Sequence, residues 1–347
     1  MPGARDPVAR RLRAGGRALL LLADPVSVSI LCQLASGPLE NAELLGRIGF
    51  VSRSTYFERM RDLEELSLIS RTRRGDVPPI AECRLEMAGA QLLPVARRLD
   101  AWLAEAPKGT LRLGEAYATT SVKALAVAWG STLLRWLAER PRTLSELEQL
   151  IHAFGYRKLE RIVRDLVEAG LIEPVETRSR LRPYGVTEWG RCAAGLLVAA
   201  MRWERHEIPK RSAPVGSMEA EGILLLGLPL IALPEEANGS CGLLVDAGPT
   251  GEESLGGAVV RLMDGRPVAW KAAGGLEAES IELEADCWVR GPTTAWLGTH
   301  AHPGAAFDMG NNIDLAEKVM AALREVGSGE RVSRLEATPA PGTGYEF

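Results

Sequence analysis

The chain of 347 residues has little of what most enzymes and secreted proteins carry as a signature. Its five cysteines are scattered and form no CxxC pair, which argues against a zinc ribbon, a dithiol redox site or a disulfide framework. It has no P-loop, GxGxxG or GxSxG motif, so nucleotide-binding loops and serine hydrolases are not indicated. We therefore expect reduced thiols in a cytoplasmic protein that is not an enzyme and uses no cofactor.

Long apolar runs are also missing. The longest nearly unbroken run outside the repeated segments, residues 223–233, contains Gly227 and Pro229 and is too short to cross a bilayer. The apolar stretch 19–23 is shorter still and lacks the layout of a signal peptide. These patterns predict no membrane partner.

The chain has four histidines, and two of them are close in sequence. His300 and His302 lie two residues apart on a predicted loop, with Asp308 nearby. Two ligands without a third in register are more often surface histidines than a metal site. We predict no metal site, and we interpret His152, at the end of a predicted helix, as structural.

The stretch that organises the chain is FVSRSTYFERMRDLEELSLI, residues 50–69. Ser52 is placed to cap a helix, and apolar residues then recur at spacings of three and four, which predicts one buried stripe. An arginine-rich turn follows, with Arg71, Arg73 and Arg74. Such a helix, followed by a strand and a basic hairpin, is typical of a winged helix that enters a DNA groove. An amphipathic helix with a solvated basic face would show the same local pattern.

This stretch belongs to a unit that occurs twice. Past the hairpin the two copies align with a shift of 101 residues, which pairs Gly89 with Gly190 and Trp102 with Trp203. Before the hairpin the shift is 103 residues, and the matches include Leu31 and Leu134, Pro38 and Pro141, Glu43 and Glu146, Asp62 and Asp165, and Leu68 and Leu171.

Charge divides along the chain. Residues 1–211 contain 33 Lys and Arg against 25 Asp and Glu, whereas residues 212–347, the acidic region, contain 8 against 20. This division fits one part that faces DNA and another that does not, although two ordinary surfaces would also produce it. Residues 1–17 are rich in arginine, and they fit either a basic arm on a phosphate backbone or a tail without a partner.

The first copy resembles the HxlR-type transcriptional regulators. The residues that carry this resemblance are Gly37-Pro38, Arg61-Asp62-Leu63-Glu64-Glu65, Leu68-Ile69, Pro78-Pro79, and the helix with Gly89, Leu92, Pro94 and Trp102. The resemblance covers residues 24–105 and extends more loosely over 122–206. Members of that family carry one such unit and dimerise through terminal helices, so two units in one chain imply an internal imitation of a dimer.

The acidic region has a different pattern. Predicted strands lie at 222–233, 240–246, 258–263, 267–272 and 281–289, with a hairpin signal at Asp264-Gly265, and predicted helices lie at 293–298 and 312–326. This order resembles the sterol-carrier-protein fold, through Trp288-Val289-Arg290-Gly291, Ala295-Trp296-Leu297 and Asp314-Leu315-Ala316. The resemblance implies an apolar cavity for a lipid-like or polyketide-like molecule.

We therefore predict an α+β chain with two tandem winged helix-turn-helix domains. An α+β sterol-carrier-like domain with a mostly antiparallel sheet would follow them. The predicted boundaries are a basic N-terminal arm at 1–17, winged helix domains at 18–106 and 107–211, a ligand-binding domain at 212–330 and a disordered tail at 331–347.

The predicted function is a transcriptional regulator that binds double-stranded DNA under control of a hydrophobic small-molecule effector. It would act as a homodimer or as an internal pseudo-dimer. Two alternatives stay open: a lipid or natural-product carrier that uses its winged helices as a scaffold, and an acyl-processing enzyme. The predicted DNA contacts are Ser52, Arg53, Ser54, Thr55, Tyr56, Arg59, Arg71, Arg73, Arg74, Arg157, Lys158, Arg161, Arg178 and Arg180. The predicted ligand contacts are Trp288, Trp296 and Phe307.

Overall fold

The structure is a computed structural model that describes most of the chain. Arg178, Arg180, His300 and His302 lie outside the described residues, as do residues 1–11 of the predicted arm and all of the predicted tail. The described residues are 12–49, 51–74, 80–107, 109–113, 115–152, 154–177, 182–213, 215–246, 256–274, 277–298 and 307–328.

The first unit is a helical domain with a small sheet. Asp24 begins its second helix because the Asp24 carboxylate accepts a hydrogen bond from Ser27 N (3.0 Å) and Pro25 takes the first helical position. Its strands form an antiparallel sheet in the order β1-β3-β2. The elements are α1 Gly16–Ala23, α2 Pro25–Leu34, β1 Leu39–Glu40, α3 Asn41–Ile48, α4 Arg53–Glu65, β2 Ile69–Arg74, β3 Ile80–Leu85 and α5 Met87–Ala104.

The second unit repeats this order of helices, with α6 and α7 in the places of α1 and α2 and no strand assigned in the place of β1. A capping box begins its second repeated helix, since Thr143 and Glu146 satisfy each other's backbone N–H groups. The elements are α6 Ala116–Ala126, α7 Ala128–Glu139, α8 Leu144–Leu150, α9 Tyr156–Glu168, β4 Ile172–Pro174, β5 Tyr184–Val186 and α10 Glu188–Glu207.

The N-terminal segment is packed into the molecule. Leu12 forms a β-bridge with Val127, and Arg13 N donates to Ala126 O (3.3 Å). The Arg13 side chain is 3% exposed, so the prediction of a basic arm is wrong for residues 12–17. The same bridge coincides with a break between two helices, because Val127 is extended (φ −90°, ψ 132°) and separates α6 from α7.

The two copies end their third repeated helix in the same way. Ser67 after α4 and Gly170 after α9 are both left-handed, with φ values of 57° and 76°. In each copy the next residue, Leu68 or Leu171, donates its N–H to the carbonyl five residues earlier, at 2.9 and 3.0 Å. The two copies therefore share this turn, and Ser67 adopts it without a glycine.

Two glycines at equivalent positions allow a close backbone contact. A Cβ atom on Gly89 of α5 would overlap the carbonyl oxygen of Leu68, and a Cβ atom on Gly190 of α10 would overlap that of Leu171. Any larger residue would have to push the helix away from the leucine that immediately precedes β2 or β4. The sequence match between these glycines therefore reflects the same packing requirement in both copies.

Helices α5 and α10 pack against each other through buried tryptophans. The rings of Trp102 and Trp189 stack with centroids 3.9 Å apart and planes 9° from parallel. Trp102 Nε1 donates to Trp189 O, and Trp203 Nε1 donates to Ala88 O, both at 2.9 Å. Under the shift of 101 residues, each of these two hydrogen bonds is the counterpart of the other.

The acidic region is an α+β layer. Its five-stranded sheet has the order β10-β9-β6-β7-β8, in which only the β6–β9 pair is parallel, so the predicted mostly antiparallel sheet is confirmed. The elements are α11 Ser217–Gly227, β6 Gly239–Asp246, β7 Gly256–Met263, β8 Arg266–Ala272, α12 Ala278–Glu284, β9 Cys287–Pro292, α13 Thr293–Gly298, β10 Asp308–Asn311 and α14 Ile313–Ser328. Short 3-10 turns lie at Pro209–Arg211 and Leu228–Leu230.

Two strand predictions in this region are wrong. The apolar run at 222–233 lies mostly in α11, which is buried against α7, α10 and β7 and therefore lacks a polar face. The alternating segment at 281–289 is split between α12 and β9, and Ile281 is the one buried side chain of α12. The hairpin prediction is confirmed, because Asp264 and Gly265 join β7 to β8 with φ values of 49° and 69°.

Among the described residues, no single helix has the length and composition needed to cross a membrane. Helices α1 and α2 reach that composition together, but they are bent by 88°.

Candidate nucleic-acid interface

The N-terminus of α4 presents hydroxyl groups and an arginine to solvent. Ser52 caps the helix as predicted, since its Oγ accepts a hydrogen bond from Thr55 N (3.2 Å) and lies 2.9 Å from both Ser54 Oγ and Thr55 Oγ1. Ser52, Arg53 and Ser54 are exposed, and Thr55 is half-buried. The helix dipole adds partial positive charge at this end. This arrangement suits a helix that enters the major groove by its first turn.

Tyr56 is a core residue. Its side chain is 0% exposed, and its hydroxyl donates to Asn41 Oδ1 (2.9 Å). Burial also raises the pKa of the Tyr56 phenol. The prediction that Tyr56 contacts DNA is therefore wrong, because it lies on the same buried stripe as Met60 and Leu63.

Two arginines of the predicted interface are held by carboxylates within the unit. Arg59 Nε lies 3.0 Å from Asp24 Oδ2, and Arg59 Nη1 lies 3.0 Å from Asp62 Oδ2. Arg71 binds Glu64 through both sides of its fork, at 2.5 and 2.6 Å. In this conformation Arg59 and Arg71 hold α4 against its neighbours, and their predicted contact with DNA stays a prediction.

The remaining cations of α4 lie on one face. Arg53, Phe57 and Arg61 are spaced by four residues, and all three are exposed, Phe57 by 41%. Arg53 and Arg61 make no ion pair with a described residue. The site prediction omitted Arg61, although its spacing from Arg53 is the signal that would have included it.

The first wing extends this face with further positive charge. β2 and β3 pair in register from Ile69 opposite Leu85 to Arg74 opposite Ile80. Arg73 is exposed, whereas the side chain of Arg74 lies outside the described part of the molecule. Among the described side chains, the two wing strands thus carry three exposed arginines, Arg71, Arg73 and Arg84, and of these Arg73 makes no ion pair with a described residue.

Helix α9 exposes more arginine than α4 does. Arg157, Arg161 and Arg164 are exposed, and Arg164 approaches Glu160 at 3.5 Å. Lys158 is half-buried, with its Nζ 4.8 Å from the ring centroid of Phe154. The N-cap of α9 is Gly155, which has no side chain to cap the helix. The face of α9 therefore offers charge but lacks the hydroxyl cluster of α4.

The second wing has less positive charge in its described part. Glu173 of β4 and Glu176 after it are exposed, and Arg182 on the returning side is exposed. The two predicted contacts of this wing, Arg178 and Arg180, lie outside the described residues. Helix α9, and not the β4–β5 pair, supplies the described cationic surface of the second unit.

The aromatic residues predicted to bind a ligand are not assembled into one pocket. Trp296 is 6% exposed, its Nε1 donates to Leu244 O (3.0 Å), and the Phe307 ring packs against its edge with centroids 4.9 Å apart. Trp296 lines an apolar cavity of about 50 Å³ between α10, α11, α13 and α14. Trp288 and Phe307 do not line it, and Trp288 packs on Gly310 instead.

In the described ranges, no three His, Cys, Asp or Glu side chains are close enough to bind a metal ion together. His300 and His302 fall outside those ranges, so the expectation for this pair stays a prediction.

Residues 21–109 match the family model of the HxlR-like helix-turn-helix. The match spans α2 to α5 and includes both α4 and the first wing. Residues 21–109 are therefore an HxlR-like helix-turn-helix domain, and the family supports a DNA-binding transcriptional regulator. No curated protein matches the chain.

Proposed function

We propose that the chain is a DNA-binding transcriptional regulator, and not an enzyme, in which two winged helices form an internal pseudo-dimer. The observation that carries the pseudo-dimer is the pair of counterpart hydrogen bonds between α5 and α10. Trp102 of the first unit reaches Trp189 O, and Trp203 of the second reaches Ala88 O. In a two-fold interface, residue i contacts residue j of the partner while j contacts i. If 101 is subtracted from the residue numbers of the second unit, both hydrogen bonds join positions 102 and 88, one in each direction. The chain therefore contains the relation that a two-fold interface would have.

The local geometry of the two copies supports the same proposal. Both have a left-handed residue after the third repeated helix and a glycine that lies against the strand after it. Such details depend on backbone conformation and not only on the leucine pattern, which many helical domains share. Their recurrence favours two winged helices over a winged helix followed by an unrelated helical segment.

The exposed cations support DNA as the partner. Arg53, Arg61 and Arg73 of the first unit, and Arg157 and Arg161 of the second, are exposed. A carrier that used its winged helices only as a scaffold would cover these faces with acidic residues. Among the described residues, carboxylates engage Arg59 and Arg71 and leave this set exposed. We assign the hydroxyl-bearing turn of α4 to base edges and the arginines to phosphates.

The hydrophobic effector is the finer part of the proposal. The apolar cavity beside Trp296 is about 50 Å³, whereas sites for drug-sized ligands usually enclose about 300–1,000 Å³. An effector of lipid size would therefore have to separate α11 from α14. Because α10 also lines the cavity and packs on α5, such a movement would reach the interface between the two units. Titration with a fluorescent fatty acid, with and without operator DNA, tests this coupling, since effector and DNA must alter each other's affinity equally.

DNA binding is tested by fluorescence anisotropy with genomic fragments at several salt concentrations. A variant with Arg53, Arg61 and Arg73 changed to Ala should bind more weakly, and its dependence of log K on log salt should be shallower by about one for each phosphate that the variant no longer neutralises. Arg266→Ala, which removes an exposed arginine of the acidic region, is the matched control. Equal affinities and salt slopes for the triple variant and the control would rule out this surface as the DNA interface.

A further inference from the structure

A second cavity, of about 60 Å³, lies between the N-terminal segment, α7 and α11. Its wall combines polar groups from all three parts, among them Arg13, Arg135, Glu219 and two hydroxyl residues of α7. Exposed Met218 lies at its rim, so the cavity is close to solvent. Two features distinguish it from a packing defect. Buried donor atoms of its two arginines lack acceptors among the described residues, and the nearby carboxylates already accept hydrogen bonds from backbone N–H groups.

Arg13 is buried, and no described residue accepts a hydrogen bond from its Nε. It is 3% exposed, and burial lowers the pKa of its guanidinium to about 10 although Glu219 and Glu204 oppose that effect. A buried cationic donor without an acceptor is unfavourable, so such groups normally find one in protein, water or ligand.

Arg135 leaves part of its guanidinium unused in the same wall. Its Nε donates to Glu221 Oε1 (2.6 Å), and its Nη2 pairs with the same carboxylate. Its buried Nη1 has no hydrogen-bond partner in the part of the chain that the structure describes. Glu221 is itself 1% exposed and also accepts a hydrogen bond from Gly257 N (3.0 Å), which fixes the position of the pair.

The neighbouring carboxylates do not supply the missing acceptors. Glu219 accepts hydrogen bonds from Ala14 N (3.4 Å) and Gly216 N (3.3 Å). Glu204 accepts from Gly15 N (3.0 Å) and from two further backbone N–H groups at the start of α1. Their negative charges nevertheless remain near the cavity, and they would oppose a ligand that carries more than one negative charge.

The size and the remaining wall further restrict the ligand. By the volume that one water needs, about 10–15 Å³ on this measure, the cavity has room for about four to six non-hydrogen atoms. Leu134 and Leu226 form an apolar side. The hydroxyls of Ser131 and Thr132 both donate to Ala128 O, at 2.7 and 3.2 Å, and so offer only acceptor lone pairs.

We infer that this cavity binds a short-chain monocarboxylate. The carboxylate oxygens would accept hydrogen bonds from Arg13 Nε and Arg135 Nη1, and the alkyl group would lie against Leu134 and Leu226. Such a ligand would connect the segment preceding α1 to the second unit and to the acidic region. Any effect on DNA rests on the proposed function, whereas binding of the carboxylate does not.

The test is isothermal titration of the full chain with propionate, in a buffer free of carboxylates and at constant ionic strength. We expect saturable binding of one propionate per chain, with sodium phosphate and sodium chloride giving no comparable saturation. Absence of saturable heat with propionate, or equal binding of propionate and phosphate, would overturn the inference and leave the cavity to water.

Arg13→Met identifies the site. It keeps an unbranched side chain of similar length and removes a buried charge, a change that often preserves folding. We expect it to weaken propionate binding by about tenfold or more, the usual size of a lost charge-assisted hydrogen bond. Arg211→Met, at an exposed position outside the cavity, should bind propionate like the parent chain. Unchanged binding by a folded Arg13→Met variant contradicts the assignment.

If Arg13→Met does not fold, Thr132→Leu provides the answer, because the larger side chain fills the cavity from α7 and leaves both arginines in place. Loss of propionate binding in this variant supports the site, and retained binding overturns it. Both measurements are made without DNA, so a failure of the proposed function and a failure of this inference are distinguishable.

Discussion

The third repeated helices, α4 and α9, have the same fold position but different exposed faces. At equivalent positions, Arg53 and Phe57 of α4 face solvent where α9 has Tyr156 and Glu160. Conversely, α4 has Ser54 and Glu58 where α9 has Arg157 and Arg161. The buried stripes match, whereas the exposed faces have diverged. Packing therefore preserved the scaffold of both units, while the surface that would meet DNA was free to differ.

The same fold in both units therefore does not require both units to contact DNA in the same way. The first unit combines hydroxyls at the helix start with an arginine on its wing, which suits contacts to bases and to phosphates. The second unit combines three arginines on α9 with exposed glutamates beside β4. We therefore expect sequence reading by the first unit and mostly backbone contacts by the second.

The tryptophan interface gives the largest expected effect and tests whether the scaffold is symmetric. Trp102→Ala and Trp203→Ala should each lower the free energy of unfolding by about 3–5 kcal/mol, because each leaves a large cavity and removes a buried indole hydrogen bond. Chemical denaturation monitored by circular dichroism measures both. Met87→Ala, at a 70% exposed position of α5, is the control and should change little. A large loss of unfolding free energy for one variant and none for the other would show that the two halves of the interface are not equivalent.

The paired glycines test the same symmetry through the backbone. Gly89→Ala and Gly190→Ala should each destabilise by about 1–3 kcal/mol, since each new methyl group would overlap a leucine carbonyl. Thermal unfolding of the two variants should show similar shifts. Gly46→Ala in α3 is a matched control, because nothing lies within 4 Å of its Cβ position and alanine favours helix. A neutral Gly190→Ala would mean that the second copy does not share the close approach of helix and strand.

DNA-binding measurements test whether the exposed faces of α4 and α9 have different roles. Ser54→Ala should lower affinity for the preferred sequence by about 1 kcal/mol and relax the preference at one base pair. Arg157→Ser, at the equivalent position, should weaken binding to all sequences alike and reduce the salt slope by about one. Affinity for a panel of single-base operator variants separates the two. A sequence-dependent effect of Arg157→Ser would show that both units read bases.

The smallest effect concerns how the two helices α4 and α8 begin. Ser52→Ala and Thr143→Ala should each destabilise by about 1 kcal/mol through loss of an N-cap. The pKa of the Glu146 carboxyl is lowered first by the backbone N–H of Thr143, which Thr143→Ala keeps, and also by the Thr143 hydroxyl, which it removes. The second loss should therefore depend on pH. A depressed carboxyl pKa stabilises the fold above the unfolded pKa, and this stabilisation is lost as the pH falls through the folded pKa. Stability measured from about pH 3 to about pH 7, a range that spans the usual carboxyl pKa, should show this dependence in the parent chain and not in Glu146→Gln.

Sequence patterns located the repeat region well because its helices are amphipathic and have caps. The stripe of Tyr56, Met60 and Leu63 and the cap at Ser52 are where the spacing predicts them. The same pattern contradicted the placement of Tyr56 at the DNA surface, since a residue on the buried stripe is not available to a ligand. Periodicity failed for α11, which is buried on several sides, and for α12, where alternation over a few residues suggested a strand.

The parts of the site that could not be predicted depend on contacts between distant segments. Arg59 meets Asp24 from another helix, and Arg13 is buried by α7 and α11. No local pattern distinguishes these arginines from exposed ones, because their partners lie far away along the chain. The missed Arg61 is different, since its spacing from Arg53 was visible in the sequence.

The two units that meet at the Trp102–Trp189 stack belong to one polypeptide. This linkage would affect how the proposed regulator occupies a promoter. Two separate subunits must meet before they bind, so their occupancy depends on protein concentration, whereas a single chain is assembled at any dilution. Because its halves are unlike, the chain also has a polarity that a true homodimer lacks. It would sit on an operator in one orientation only, and the acidic region would then always be placed toward the same side of the transcription start.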